Sequence, residues 1–366
     1  MSTPPVVVKV GSSTVTNAAG DVNVRAVERI AAEIAHHWRS GHQVVLVTSG
    51  AIAAGWSILG RGRQRPRDPA VLQAVSAVGQ HRLMRTWQDG FGHHDLLAGQ
   101  VLLAPLDFIH RRQYLHARQT LHHLLGLGVV PVVNENDAVA DEEIRFGDND
   151  RLSALVAHLV GADRLIMLSD IDGLLDADPR VVSEASLIEE VEEIDHRLES
   201  LAGGPGSDVG SGGMASKLAA AKIATWSGVE VVIASGQREG VLSSVLEGRA
   251  GSGTVFRAQR RTISSRKLWI AFALGANGVL TVDEGARKAL LEQGRSLLAA
   301  GVTGVTGDFF PEDAVEIAGP DGVVFAKGIC RLPSSRASEW TGKRSEKLPE
   351  DLGSEVVHRD DLVVLG

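Results

Sequence analysis

Val6-Val7-Val8-Lys9-Val10-Gly11-Ser12-Ser13 is the stretch on which the reading of this chain turns. It is a short β-branched run that carries a lysine and then breaks into glycine and serine. A strand of this kind, repeated with helical segments between the copies, is the mark of a parallel sheet with crossover helices. Lysine inside a buried parallel strand costs several kcal/mol unless an anion compensates it, so Lys9 points to a polyphosphate partner. An edge strand with Lys9 facing water is the alternative. Gly11 would let the backbone approach such a phosphate closely.

Working outward, residues 5 to 250 repeat the pattern. Candidate strands are Val6 to Val10, Val44 to Val47, Gly99 to Leu103, Val129 to Val133, Leu165 to Leu168 and Val229 to Ala234. Apolar residues recur every three or four positions at Val24, Val27, Ile30, Ala31, Ile34 and Trp38, a helix closed by Ser40-Gly41. Leu72, Val75, Val78, Leu83 and Trp87 trace a second such stripe, and Leu152, Leu155, Val156 and Leu159 a third. These stripes are read as core. The expected fold is therefore α/β, an open and mainly parallel sheet flanked by helices.

In such sheets ligands collect at the carboxyl ends of the strands. Here the strands run out into Gly11-Ser12-Ser13, Thr48-Ser49-Gly50, Asn134-Glu135-Asn136-Asp137, Ser169-Asp170 and Ser235-Gly236. Turn chemistry alone also favours these residue types, but five such ends in succession describe a ligand rim.

The loop Gly210-Ser211-Gly212-Gly213-Met214-Ala215-Ser216-Lys217 sets a glycine-rich backbone beside a lysine where a helix should begin. Free backbone N–H groups, the helix dipole and the Lys217 charge together suit phosphate. The Walker A order Gly-Lys-Ser/Thr is absent, since Ser216 precedes Lys217 and Leu218 follows it. Two lysines near one phosphate repel each other and require an acid between them. Asp150, in Gly147-Asp148-Asn149-Asp150 at an expected helix start, is the candidate organiser, although Asp148 or Asn149 would equally serve as a plain N-cap. Asn134, Asn136 and Asp137 mix amide and carboxylate in the way that grips an amino acid, or else form an Asx turn. Asp170-Ile171-Asp172-Gly173 fails the EF-hand spacing and reads as a nucleotide-facing loop.

Composition narrows the function classes. The chain has 366 residues, with 37 Lys and Arg against 45 Asp and Glu, which gives no global attraction for nucleic acid or anionic membrane. A length of this size predicts two domains. The single cysteine, Cys330, suits a reducing compartment and reads as buried filler. The 13 histidines show no metal-ligand spacing, so no protein-built metal site is expected. Met1-Ser2-Thr3-Pro4-Pro5 lacks the charged and apolar segments of a signal peptide, and the expected location is cytoplasmic.

After Thr254 the basic residues Arg257, Arg260, Arg261, Arg266 and Lys267 read as a linker, with a second domain beginning near Lys267. One helix from Gly285 to Gln293 is expected there, with strands at Val302 to Val305, Ala314 to Ile317, Val323 to Phe325 and Val356 to Val364. That pattern predicts a small β-barrel-like domain.

These motifs resemble the glutamate 5-kinases, a branch of the amino-acid kinase family that opens proline biosynthesis. The likeness is carried by Lys9-Val10-Gly11-Ser12-Ser13, Val47-Thr48-Ser49-Gly50-Ala51-Ile52, Val133-Asn134-Glu135-Asn136-Asp137-Ala138-Val139, Phe146-Gly147-Asp148-Asn149-Asp150 and the 210–217 loop. It covers almost the whole chain. Residues 1–262 correspond to the kinase domain and 267–350 resemble a PUA domain, with 351–366 completing it. The Asn-Glu-Asn-Asp and Gly-Asp-Asn-Asp pair is specific to the branch, whereas the Lys-x-Gly opening and Gly-Gly-Met loop are shared more widely. Ser211 and Ser216 stand where the family often has threonine, and both keep a hydroxyl.

The resemblance implies ATP-dependent phosphorylation of the γ-carboxylate of L-glutamate, with Mg²⁺ carried by phosphates and water. Lys9 and Lys217 would flank the transferred group and Asp150 would orient both. Ser49, Gly50, Asn134, Asp137 and Asn149 would bind glutamate. Lys9, Gly11, Ser169, Asp170 and the 211–217 segment (Ser211, Gly212, Gly213, Met214, Ala215, Ser216 and Lys217) would hold ATP. Proline as inhibitor, a homo-oligomer (dimer or tetramer) and coupling to glutamyl phosphate reductase are further implications. Aspartate or N-acetylglutamate kinase is the alternative within the fold. An RNA-binding accessory protein is the alternative outside it, opposed by 12 Lys and Arg against 15 Asp and Glu in residues 264–366.

Overall fold

The computed structural model describes residues 3–17, 20–60, 68–104, 107–108, 110–139, 149–177, 182, 184–201, 213–259, 264–272, 274–343 and 355–365. The chain divides into two compact units, Met1–Thr262 and Ile263–Gly366.

In the first unit, β1 (Val6–Val10) lies at the middle of an eight-stranded sheet, between β2 (Val44–Thr48) and β5 (Arg164–Ser169), parallel to both. Beyond β2 follow β4 (Val129–Glu135) and the edge strand β3 (Leu97–Leu103), also parallel. Beyond β5 lies β7 (Glu230–Ser235), again parallel. The short strands β8 (Thr254–Phe256) and β6 (Glu190–Val191) finish that side, β8 running antiparallel to β7. Each expected strand is present: β1 as expected, β2, β3, β4 and β5 extended by one or two residues at one or both ends, and β7 shifted one residue later than the expected Val229 to Ala234.

Side chains alternate across a strand, so β1 serves two layers at once. Val6, Val8 and Val10 join the core formed with Val27, Ile30 and Ile34 of the helix Val24–Arg39, and with Trp87 and Phe91 of the helix Pro69–Gly92. Val7 and Lys9 face the opposite layer. Lys9 is 3% exposed and sits in register with Val47 on one side and Met167 on the other, so the edge-strand alternative is excluded. Val24 and Val78 depart from the sequence stripes: both are exposed, because each lies one step off the buried arc of its helix.

The helices Ala51–Gly60 and Pro69–Gly92 approach to backbone contact through two glycines. A Cβ on Gly79 would lie 1.8 Å from the Ala51 carbonyl oxygen, and one on Gly55 would lie 2.0 Å from that of Val75. Both clashes are with main chain, which cannot swing aside. Gly79→Ala is therefore expected to destabilise the first unit by about 3 kcal/mol, at the upper end for overpacked sites. Thermal unfolding measures this directly, and a melting temperature equal to wild type would refute the close approach.

The second unit is a six-stranded curled sheet in the order β10-β14-β13-β12-β9-β11. Its strands are β9 (Gly278–Val282), β10 (Leu297–Leu298), β11 (Val302–Gly307), β12 (Ala314–Ala318), β13 (Val324–Cys330) and β14 (Glu355–Val364), antiparallel except where β9 meets β12. They enclose a core that includes Phe309, Val315, Ile317, Cys330 and Trp340. Burial pushes the Cys330 thiol pKa up, so it is an inert core residue. Asp283 caps the helix Glu284–Gln293, accepting from Ala286 N–H, and Gly294 ends it in the left-handed conformation. The stretch read as linker needs correction at its end, because Arg266 and Lys267 lie in a helix, Ser265–Phe272. Their charges obscured the buried Leu268, Trp269 and Ile270 that follow. No described helix is long and apolar enough to cross a membrane.

Candidate active site

The carboxyl ends of the parallel strands bring Lys9, Ser49, Gly50, Asn134 and Ser169 to one rim. Lys9 ends its side chain at Asp150 Oδ1, an ion pair with both partners almost wholly buried. Lys217 Nζ lies 3.2 Å from the other oxygen, Asp150 Oδ2. Asp150 is fully buried in the first turn of the helix Asn149–Val160, where the dipole favours a carboxylate. Lys217 stands in the first turn of the helix Met214–Trp226. One carboxylate thus gathers two ammonium groups from a central strand and a separate helix. Such a pair can neutralise an anion lying over it.

Beside it runs a chain of amides whose polarity is unambiguous. The Glu135 main-chain N–H can only donate, and it lies 2.9 Å from Asn134 Oδ1 and 3.3 Å from Asn149 Oδ1. Both amides are thereby oriented. Asn149 Nδ2 donates to Ser49 Oγ at 2.9 Å and to Asn134 Oδ1 at 3.0 Å, and Asn134 Nδ2 donates to Gln80 Oε1 at 2.7 Å. Asp137 Oδ2 accepts from Ser76 Oγ at 2.6 Å. Gly50 has φ +107°, a conformation that glycine adopts without strain, and it turns the chain from β2 into its helix.

On the other side of Lys9, Gly11 N–H donates to the Leu168 carbonyl at 3.1 Å, and a Cβ there would come 3.7 Å from Lys9 Nζ. Gly213 is the N-cap of the helix Met214–Trp226 and supplies no side-chain cap, so Met214 and Ala215 open a helix start with free amide polarity. Ser216 Oγ lies 3.0 Å from Asp150 Oδ2 and 2.9 Å from the Gly213 carbonyl, which ties the loop to the acid. Ser169 Oγ donates to Asp170 Oδ1 at 3.0 Å. Asp172 is paired with Arg238 at 3.2 Å, linking the ends of β5 and β7. Gly147, Asp148, Gly210, Ser211 and Gly212 lie outside the described residues.

The structure adds two residues that sequence reading missed. Ser76 and Gln80 stand four apart on the helix Pro69–Gly92 and share the face that meets Asp137 and Asn134. A polar pair on the border of an apolar stripe gave no sequence signal that it would reach the end of another strand. Histidine is absent from the cluster. His37, for example, contacts Ser243 at 3.0 Å, and burial lowers its pKa. Among the described residues, no group of three His, Cys, Asp or Glu could hold a metal ion.

Two family profiles match the chain: the amino acid kinase family over residues 4–235 and the PUA domain over 278–352. The chain is 46% identical to a glutamate 5-kinase of Moorella thermoacetica over 364 residues, covering 98% of this chain and 96% of the relative. It is 44% identical to that of Pelobacter propionicus, covering 98% and 97%, and 45% identical to that of Mycobacterium avium, covering 98% and 96%. With likeness of this extent and a buried Lys9–Asp150–Lys217 cluster at the strand ends, the chain belongs to the amino acid kinase family, in its glutamate 5-kinase branch.

Proposed function

We propose that this protein transfers the γ-phosphoryl group of ATP to the side-chain carboxylate of L-glutamate, giving L-glutamyl 5-phosphate in the first step of proline biosynthesis. The observation that carries this reading is the pair of buried lysines held by Asp150. A carboxylate oxygen forms the new bond to phosphorus, the bond from phosphorus to the β–γ bridging oxygen breaks, and ADP leaves with that electron pair. Glutamate is already ionised at neutral pH, so no general base is required. The protein's task is to hold two anions in line and neutralise the transferring group. Lys9 and Lys217 do the latter, with Asp150 orienting them. Ser49, Gly50, Asn134, Asp137 and Asn149 take the amino acid. Gly11, Ser169, Asp170 and residues 211–217 take the nucleotide.

The donor set fits polyphosphate: two lysines and a helix start whose amides lack a side-chain cap. Mg²⁺ would be held by phosphate oxygens and water, supplying charge neutralisation, since it dehydrates reluctantly. The kinase domain is assigned to residues 1–262 and the PUA domain to 267–350, completed by 351–366. The protein works in the cytoplasm as a homo-oligomer, with coupling to glutamyl phosphate reductase, and RNA is not its ligand. Proline, a cyclised glutamate, inhibits by overlapping the amino-acid pocket near Asp137 and residues 138–148, of which 140–148 lie outside the described residues.

An ATP-dependent hydroxamate assay tests the reading. Glutamate is expected to give product where aspartate and N-acetylglutamate give little, and proline inhibition is expected to be relieved by saturating glutamate. Preference for either competitor would replace the substrate; inhibition indifferent to glutamate would separate the proline site.

A further inference from the structure

We infer that Gln80 is a positioning residue for the amino-acid substrate, acting through Asn134 and Asn149 to leave the Ser49 hydroxyl proton free to donate to a substrate carboxylate. The inference rests on the proposed assignment of Ser49 and Asn149 to the glutamate pocket.

The polarity of the chain follows from one donor that cannot reverse. Glu135 N–H makes the atoms it faces on Asn134 and Asn149 oxygens. Asn134 must then present its NH₂ group to Gln80, which accepts through Oε1. Asn134 Oδ1 is thus held toward Asn149 Nδ2, and Asn149 Nδ2 reaches Ser49 Oγ as donor. A hydroxyl that accepts from an amide keeps its own hydrogen for another acceptor. Ser49 is 8% exposed and Asn134 2%, so water competes poorly at either residue and the direction of each bond matters. An anionic carboxylate is the partner such a hydroxyl suits best.

Gln80 is the terminal acceptor of this chain, and it is placed there by the glycine contact. Gly79 sits against the Ala51 carbonyl at the start of the helix that follows Ser49-Gly50. The same helical turn therefore seats the backbone beside Ser49 and aims the adjacent Gln80 amide at Asn134. Without an acceptor at position 80, the Asn134 NH₂ loses a buried partner, and Asn134 and Asn149 can turn away from Ser49.

The test is a double-mutant cycle on the full chain, with Gln80→Met, Ser49→Ala and both together, read by steady-state kinetics. Gln80→Met is expected to raise KM for glutamate about tenfold, with kcat and KM for ATP within about twofold of wild type. In the Ser49→Ala background the same change is expected to raise KM less than about twofold, because the group it acts through is gone. An unchanged KM in Gln80→Met, full additivity in the cycle, or an equal rise in KM for ATP would overturn the inference. Should Gln80→Met melt well below wild type, Gln80→Asn, which falls one methylene short of Asn134, carries the cycle: coupling with Ser49→Ala upholds the role and additivity rejects it. A wild-type enzyme that does not phosphorylate glutamate would instead refute the substrate assignment before the cycle is read.

Discussion

Lys217→Ala, like Lys9→Ala, is expected to lower kcat by about 10²–10³-fold while KM for glutamate stays within a few-fold of wild type. The reason is the timing of the charge. Negative charge on the transferring phosphoryl group and its flanking oxygens is redistributed in the transition state, and an ammonium already fixed by Asp150 meets it without reorganising. On the proposed assignment, binding of the amino acid depends on other groups, those around Ser49 and Asn149. Steady-state kinetics with each substrate varied in turn separates the two. A variant with normal kcat and only a raised KM would assign that lysine to ground-state binding instead.

Asp150→Ala is expected to have the larger effect on the protein itself. Lys9 and Lys217 are both almost wholly buried, and each is paired to a different oxygen of this one carboxylate. Removing the acid leaves two cations close together with little water, and breaking a buried ion pair from one side costs about 3–5 kcal/mol. Ser216 loses its side-chain acceptor as well, so the start of the helix Met214–Trp226 loosens. Activity should fall below the level of either lysine variant, since both lysines lose their orientation. Chemical denaturation and turnover, measured on the same preparation, check the two consequences. A variant as stable as wild type would show that the lysines are held by something other than Asp150.

The parallel sheet and most of this cluster were readable from residue order, because valine-rich strands and the small or polar residues that end them carry the signal locally. Lys9 was the most telling case: a charge inside Val6–Val10 called for an anion, read as a polyphosphate, and the anion the structure places beside it is the Asp150 carboxylate on the next layer. Gln80 and Ser76 were not readable. The helix Pro69–Gly92 shows a clear apolar stripe, and a stripe reports only which arc is buried, not that a polar pair on its border reaches another strand's end. The strands β6, β8, β9 and β10 were missed for a different reason. Two or three residues cannot display a period, and Gly278–Val282 begins after a run of Gly, Ala and Asn that reads as turn. The helix Ser265–Phe272 was hidden by its own basic residues, whose side chains stay wet while their neighbours are buried.

The central position of β1 also bears on how the protein is made. Val6–Val10 leaves the ribosome before both of its neighbours and finds β2 soon afterwards, yet its other neighbour, β5, is encoded far downstream. At ordinary synthesis rates the roughly 150 intervening residues take roughly 8 to 30 s to emerge. For that interval a valine-rich edge has no second strand to pair with, which is the condition under which nascent chains aggregate or recruit chaperones. On the proposed assignment of Lys217, catalysis is later still, since that residue follows β5 by some 50 residues, roughly 2 to 10 s more of synthesis. The nascent chain therefore passes through a period in which β1 has both of its neighbours while Lys217 and the strand beyond β5, β7, are still to come.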